Sequence, residues 1–519
     1  MANKNLFKSL VGRLIPAADA VNEEHAPAYA FTPKHALAQY AVTGCLNATF
    51  YASAEEQLAR VLELCEGVEP EFIARTAVYA RERGFMKDMP ALLCAVLAVR
   101  DRALLAAIFH RVIDNGKMLR NFVQILRSGV AGRKSLGTAP KRLVREWLEA
   151  RDPATLLQES VGRNPSLADV IRMVHPKPSS EGRAALYGYF VGRAHDPSAL
   201  PEVVRAYEAF KAGETLELPR VPFQMLTALE IGKREWIEIA RRAPWQMLRM
   251  NLNTFARQGV FDEPGMAELI AARLSDERAI ERARVFPYQL MTAYVNTGEA
   301  VPAIVRDALQ DAMEIAIRNV PEIEGKVYVC PDVSGSMRGS AVTGRRKGST
   351  SCVRVIDIAA LVAAAILRKN PTAEVIPFEQ DVVEVRLNPR DSVMTNAERL
   401  ARVGGGGTNC SAPLALLNKR RARGEMVVFV SDYESWVDVP SGRGTATMQQ
   451  WSVFKQRNPS ARLVCIDVQP YATTQAQERT EDILNVGGFS DQVFDVIAEF
   501  ARGHLNAGHW VGRIDAITI

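Results

Sequence analysis

The amino-acid sequence predicts a chain of two kinds, all-α over residues 1–320 and α/β, doubly wound, over residues 321–519. Three observations predict it. The 519 residues are too many for a single hydrophobic core. Before residue 320, apolar residues recur at helical spacing in segments parted by proline or glycine, as at Pro153, Pro165, Pro201, Pro222 and Pro264. After residue 320, short apolar runs alternate with helical ones, the pattern of a mostly parallel sheet covered on both faces.

In the first half, Ser53 and Glu56 have the spacing of a capping box, and Leu58, Val61, Leu62 and Cys65 then follow at helical intervals. "PEFIARTAVYARERG" and "DMPALLCAVLAVRDRALLAAIFHRVID" continue in the same style. Helical pairs stacked as a solenoid and a compact bundle both fit this texture. In the second half, "KVYVCPD" reads as a buried strand and "CVRVIDIAALVAAAILRKN" as a long apolar helix. "AEVIPFEQDVVEVRL" reads as a pair of strands, "EMVVFVSD" and "ARLVCIDVQ" as single strands, and "TATMQQWSVFKQRN" and "FSDQVFDVIAEFARG" as helices.

Composition excludes several classes. No apolar run approaches the roughly 20 residues that span a bilayer. The N-terminal stretch reads as an arm rather than a signal peptide, because Lys4 and Lys8 precede no long apolar core. The seven cysteines show no C-x-x-C and no paired spacing, which argues against zinc and against a disulfide framework and fits a cytoplasmic protein. The net charge of +5 decides little, since placement matters more than the sum.

"VYVCPDVSGSMRGS" raises the first question of chemistry. Asp332, Ser334 and Ser336 follow a buried strand, where ligands of such sheets bind. "GGGGTNC" brings Thr408 to the mouth of a helix, and "VVFVSDYES" puts Asp432 at the end of another apolar strand. Two carboxylates and three hydroxyls suit a hard divalent cation, Mg2+ first, with Mn2+ or Ca2+ as alternatives; a tight polar turn is the competing reading. The five positions resemble the metal-ion-dependent adhesion site (MIDAS) of von Willebrand factor A domains. The resemblance implies that both serines and the threonine bind metal directly and that the two aspartates act mostly through water. Pro331 and Tyr433 depart from the pattern, the latter standing where glycine is frequent. The segment after the site carries Arg345, Arg346 and Lys347 among glycines and serines and reads as a mobile basic loop.

Charge is most uneven between Gly116 and Arg145. Lys117, Arg120, Arg127, Arg133, Lys134, Lys141, Arg142 and Arg145 lie there with no Asp or Glu between. Lys117 with Arg120, and Lys141 with Arg145, have the spacing of one helix face. Ordinary solvated faces mix both signs, so this one points to phosphate. A second patch, "GRNPSLADVIRMVHPKPSSEGR", holds Arg163, Arg172, His175 and Lys177, with His175 at an expected helix C-terminus.

Helices joined to an A domain, with "YAVTGCLNATFYASAEEQLARV", "SLADVIRMVHPKPSSEGR" and above all "HPKPSSEG", resemble the Ro autoantigen family and its TROVE module over nearly the whole chain. The resemblance implies a HEAT-like ring of helical repeats followed by a Rossmann-like A domain. It implies a ribonucleoprotein of RNA quality control. Small noncoding Y RNA would bind the outer surface, and single-stranded 3′ ends of misfolded or immature RNAs would enter the central hole. His175 takes the place of the family's Y RNA-contacting histidine and Arg163 that of an arginine upstream. A further lysine of the family has no counterpart, since Gln158 and Glu159 occupy its place. Implied too are a monomer and a 3′-to-5′ exoribonuclease partner such as polynucleotide phosphorylase. The other reading is a metal-dependent protein-adhesion module. No enzyme is expected: Asp332 and Asp432 lack the clustered carboxylates of a two-metal site, and no P-loop or H-E-x-x-H occurs.

Overall fold

The computed structural model describes residues 15–44, 46–283, 285, 287–318, 320–340, 353–436, 444–478, 482–488, 490, 492–504 and 509–519. Residues 1–14, most of the expected arm, and Arg345, Arg346 and Lys347 lie outside these. The helical texture does give way to a sheet near residue 320, but the compact units do not follow that line. One unit gathers Met1–Val68, Leu274–Asn296 and Arg306–Ile517, and the other Glu69–Arg273 with two short segments, Thr297–Val305 and Thr518–Ile519.

The second unit is helical. Pro70–Glu82, Asp88–Arg100, Arg102–Val112, Gly116–Ser128, Thr138–Glu149 and Leu167–Val174 pack chiefly on helices one to three positions along the chain, as a repeat architecture requires. Trp147, fully buried, donates its indole N–H to Ile113 O at 2.5 Å, and Phe109 meets Phe122 edge to face. Local caps fix the ends. Asn115 accepts from Met118 N, and Ser166 and Asp169 form a reciprocal capping box.

The first unit contains the sheets. Its strands are β1 Ala20–Val21, β2 Pro27–Ala30, β3 Val327–Pro331, β4 Glu374–Val375, β5 Met426–Ser431, β6 Arg462–Asp467, β7 Thr473–Thr474 and β8 Ile483–Gly487. The main sheet runs β4-β3-β5-β6-β8, all parallel. Every residue of β3 and β5 is buried, which is why both read as unbroken apolar runs. Tyr328, Cys330, Val427, Phe429, Leu463 and Cys465 share one face, packed on Leu414, Leu417, Trp451 and Phe454. The helix Val355–Lys369 packs on β3, β4 and β5. The Ser53–Glu56 capping box is present. No described helix is long and apolar enough to cross a membrane.

The structure differs from the expected elements in two places. The anticipated pair of strands over 373–387 shrinks to β4 and two isolated bridges, Asp332 with Phe378 and Phe378 with Val382. Prolines stand on both sides of this ladder. The carbonyls of Val329 and Pro331 face β4, accepting from Ile376 N and Phe378 N, so Pro331 would have donated on that same side and has no N–H to give. Pro377 lacks an N–H on the opposite edge of the partner chain, the edge that meets Val383, which limits pairing of the expected second strand. Pro331 thus sits where the ladder ends, and the other side of β3 stays paired to β5. The second difference is a small antiparallel sheet, β1-β2-β7, that joins the N-terminal segment to the A domain.

Candidate metal centre and nucleic-acid interface

Numbered within the main sheet, the strands lie in the order 2-1-3-4-5, so the chain reverses its winding between β3 and β5. Their carboxyl ends open the crevice where such sheets bind ligands. Asp332 leaves β3 and Asp432 leaves β5, both fully buried. Asp332 Oδ1 accepts from Ser334 N at 2.9 Å and Oδ2 from Ser431 Oγ at 2.5 Å. The hydroxyls of Ser334 and Ser336 lie 3.2 Å apart. The Gly404–Gly407 loop is stitched to both sides: Gly335 N donates to Gly406 O at 2.8 Å, and Trp436 N to Thr408 O at 3.2 Å. A side chain at Gly404, where φ is +82°, would meet Val333 O at 2.4 Å, so this approach needs glycine. All five expected ligands therefore meet at one strand-end crevice, and Ser334, Ser336 and Thr408 are buried with the aspartates.

The electrostatics leave this crevice unbalanced. Burial, and then the charge of Asp432, push the Asp332 carboxyl up. Burial is the main cause for Asp432 as well, with Ser336 and the Glu434 N–H acting the other way. Asp432 Oδ2 has no hydrogen-bond partner. Two buried carboxyls, one with an orphaned oxygen, beside the paired hydroxyls of Ser334 and Ser336 fit a hard cation, which would offset the repulsion between the carboxylates. Among the described residues no group of three or more His, Cys, Asp or Glu is disposed to hold a metal, so any ion here rests on hydroxyls and two aspartates.

Tyr433 adopts φ +59°, the left-handed region that glycine enters freely. The side chain offsets the strain. It lies in the core beside Cys410 and Phe429 and donates its hydroxyl to Phe429 O at 3.3 Å. Tyr433→Gly is expected to relieve about 1 kcal/mol of strain and lose about 3–5 kcal/mol of packing. The net loss, a lowered midpoint in chemical denaturation, separates this site from one where glycine is optimal.

The basic residues divide sharply. Gly116–Ser128 and Thr138–Glu149 both pack on Leu167–Val174. Around the last turn of that short helix, Arg127 Nη1 sits 2.8 Å from Met173 Sδ, and Arg145 Nε donates to Val174 O at 2.5 Å. His175 closes the helix in the left-handed conformation, as expected of a C-cap, with Lys177 exposed just beyond. Arg172, half exposed, bridges Asp169 at 3.2 Å and donates to Val191 O. Arg127, Arg145, Arg172, His175 and Lys177 thus converge at one helix end. Arg163 is exposed in the loop before this helix, and Arg142 is exposed with only Glu146 at 3.6 Å. Lys134 is exposed, while Lys117, Arg133 and Lys141 are half-buried.

Arg120 is the exception. It is buried, donates to Glu159 O at 2.6 Å and packs against Gly162. It does not share an open face with Lys117. Glu159 also takes Gly116 N at 2.6 Å, placing a carboxylate at a helix N-terminus. Arg120→Ala is expected to cost about 2–3 kcal/mol, read as a lower denaturation midpoint, because it strands a buried carbonyl.

Sequence similarity agrees with this geometry. The sequence model of a Ro60 von Willebrand A domain matches residues 326–501. The Deinococcus radiodurans protein named "RNA-binding protein RO60" is 25% identical over 92% of this chain and 94% of its own length. The chain is thus similar to a Ro protein along nearly its whole length. A Caenorhabditis elegans Ro relative of the same printed name is 21% identical over half of this chain and 41% of its own. The crystal structure of the Deinococcus radiodurans Ro (Rsr) protein superposes with a TM-score of 0.62, covering 91% of this chain and all of that one, at 22% identity.

Several residues of this site were not anticipated. Ser431 holds Asp332, and Glu379 Oε2 accepts from Gly406 N at 2.7 Å. Glu434 and Asp467 add two more buried carboxylates, both pushed well up by burial. The "VSD" of the strand end offered a signal for Ser431. Glu379 lay in a stretch misread as strand.

Proposed function

We propose that the chain is an RNA-binding protein of RNA quality control. It grips a small structured noncoding RNA of the Y type through the cations around the end of Leu167–Val174, and it also takes single-stranded 3′ ends of misfolded RNAs. The observation that carries this reading is the convergence of Arg127, Arg145, Arg172, His175 and Lys177, with Arg142 and Arg163 nearby. Phosphate neutralisation is the ordinary use of such a surface. The printed names of the relatives from Deinococcus radiodurans and Caenorhabditis elegans support it. The protein acts by holding RNA rather than by cutting it, and a 3′-to-5′ exoribonuclease is the fitting catalytic partner. Crosslinking in cells followed by RNA sequencing tests this: enrichment of a structured small RNA is expected, and recovery of none overturns the reading.

A second reading concerns the A domain alone and coexists with the first. Ser334, Ser336 and Thr408, with Asp332 and Asp432, would hold a divalent cation, Mg2+ or Mn2+, as a docking point for a partner's acidic group. The cation would supply a Lewis-acidic anchor. The chain's own part is to bury and orient the oxygens. Calorimetry with MgCl2 tests it, and a null titration of the wild-type protein removes it.

A further inference from the structure

The turn Asn22–Ala26 between β1 and β2 is built with unusual care for an exposed segment. Asn22, buried itself, accepts through Oδ1 from Glu24 N at 3.1 Å and Ala26 N at 2.9 Å. Asn22 N donates to Ala26 O and His25 N to Asn22 O, both at 3.0 Å. His25 adopts φ +57° to close the turn. The turn is then pinned to the loop that carries Asp432. Asn22 Nδ2 donates to Ser435 O at 2.6 Å, and Glu23 N to Glu434 Oε2 at 2.7 Å. Two residues of an N-terminal hairpin, Asn22 and Glu23, thereby fasten it to the rim of the metal-type crevice.

The pinned turn carries two exposed glutamates, Glu23 and Glu24. Glu24 Oε1 accepts from Tyr51 Oη at 2.6 Å, which fixes its direction. Tyr51 in turn feels the charge of Asp432, and Glu24 acts on Asp432. No basic side chain of the described residues is bonded to Glu24 (its one side-chain partner is a hydroxyl), although an exposed glutamate next to buried anions costs energy. An arrangement that holds like charges together makes sense if a cation sits among them.

We propose that Glu24 is the chain's own carboxylate for the metal site, standing where an external acidic partner would otherwise bind. The inference rests on the reading of the crevice as a cation site. Glu24 comes from the N-terminal hairpin, which is pinned to the Glu434–Ser435 loop just after Asp432, whereas the other five residues come from the A domain. An acidic partner must then displace Glu24, and the turn acts as a built-in competitor.

Mn2+ titrations of the full-length protein, followed by water-proton relaxation, test this with sodium acetate as the probe of external carboxylates. Glu24→Gln is expected to weaken Mn2+ binding by about tenfold. It is also expected to raise the relaxation enhancement, as water takes the vacated position, and to strengthen the quenching by acetate. Asn22→Ala, which loosens the turn, should shift all three readings the same way. Glu23→Gln removes the same charge one residue away and should change affinity by no more than about twofold. If the wild type binds Mn2+ and Glu24→Gln matches it in affinity, relaxation and acetate response, the proposal is overturned while the cation site stands. Equal effects of Glu23→Gln and Glu24→Gln also overturn it, since they would reflect net charge alone. If the wild type binds no Mn2+, the cation reading and this inference fall together.

Discussion

Reversing Arg142, Arg163 and Lys177 together to glutamate is expected to weaken binding of a structured RNA by about a hundredfold at ~0.1 M salt, with little change in thermal midpoint. These three were chosen by what they do in the fold. Arg163 and Lys177 are exposed on loops flanking Leu167–Val174, and Arg142 has only an exposed partner at 3.6 Å. None holds a carbonyl in place, unlike Arg145, whose Nε bonds Val174 O, or Arg172, which bonds Val191 O. The salt dependence is the sharper measurement. Each lost phosphate contact should flatten the plot of log affinity against log salt by about 0.7–0.9, so the triple variant should lose roughly 2–3 from the slope. Unrelated hairpins should weaken alike, because phosphate contacts carry no sequence information. An unchanged slope would remove these residues from the interface. Arg120→Ala is the contrast, since its defect appears in the denaturation curve first.

Asp332→Asn is expected to stabilise the protein in chelator and to abolish stabilisation by Mg2+. Asp332 and Asp432 are both fully buried, and each carboxyl is pushed up chiefly by burial. Without a cation, ionising both costs free energy that an amide does not require. The amide keeps its oxygen for the Ser334 N–H and turns its NH2 to the Ser431 hydroxyl, which can accept as well as donate, so the local hydrogen bonding survives. In EDTA the variant should melt roughly 2–5 °C above the wild type. In MgCl2 at ~100-fold over the dissociation constant, the wild type should gain about 2.7 kcal/mol and the variant nothing. The order of the two melting curves therefore inverts with the metal. Identical responses of both proteins would show that Asp332 has no part in holding a cation.

The metal-type crevice was legible because its chemistry sits in short motifs at the ends of strands that are themselves unmistakable. Asp332, Ser334 and Ser336 follow β3 directly, and Asp432 follows β5. Even the two departures became intelligible. Pro331 falls where β3 faces a two-residue strand, and Tyr433 exchanges backbone strain for core packing. The N-terminal turn was not legible. β1 and β2 have two and four residues, too few for alternation to register, and their partner β7 lies at the far end of the chain. Charge counting found the basic region but mistook Arg120. Its place in the helix gives the reason: Gly116 and Val123, four before and three after, are both buried, so Arg120 turns inward. Counting residues of one sign says nothing about which face they occupy.

The interleaving of the two units sets an order on synthesis. Gln475 Nε2 bonds Pro27 O across 448 positions, and β2 pairs with β7 at Thr473–Thr474. At roughly 5–20 residues per second, a growing chain carries its N-terminal hairpin unpaired for about half a minute to a minute and a half. The helices Pro70–Arg242 leave the ribosome and can pack on their neighbours during that wait. The hairpin of β1 and β2 is thus among the last elements to be placed. A ribosome that stops before residue 473 releases the helices without the strand that pairs with β2.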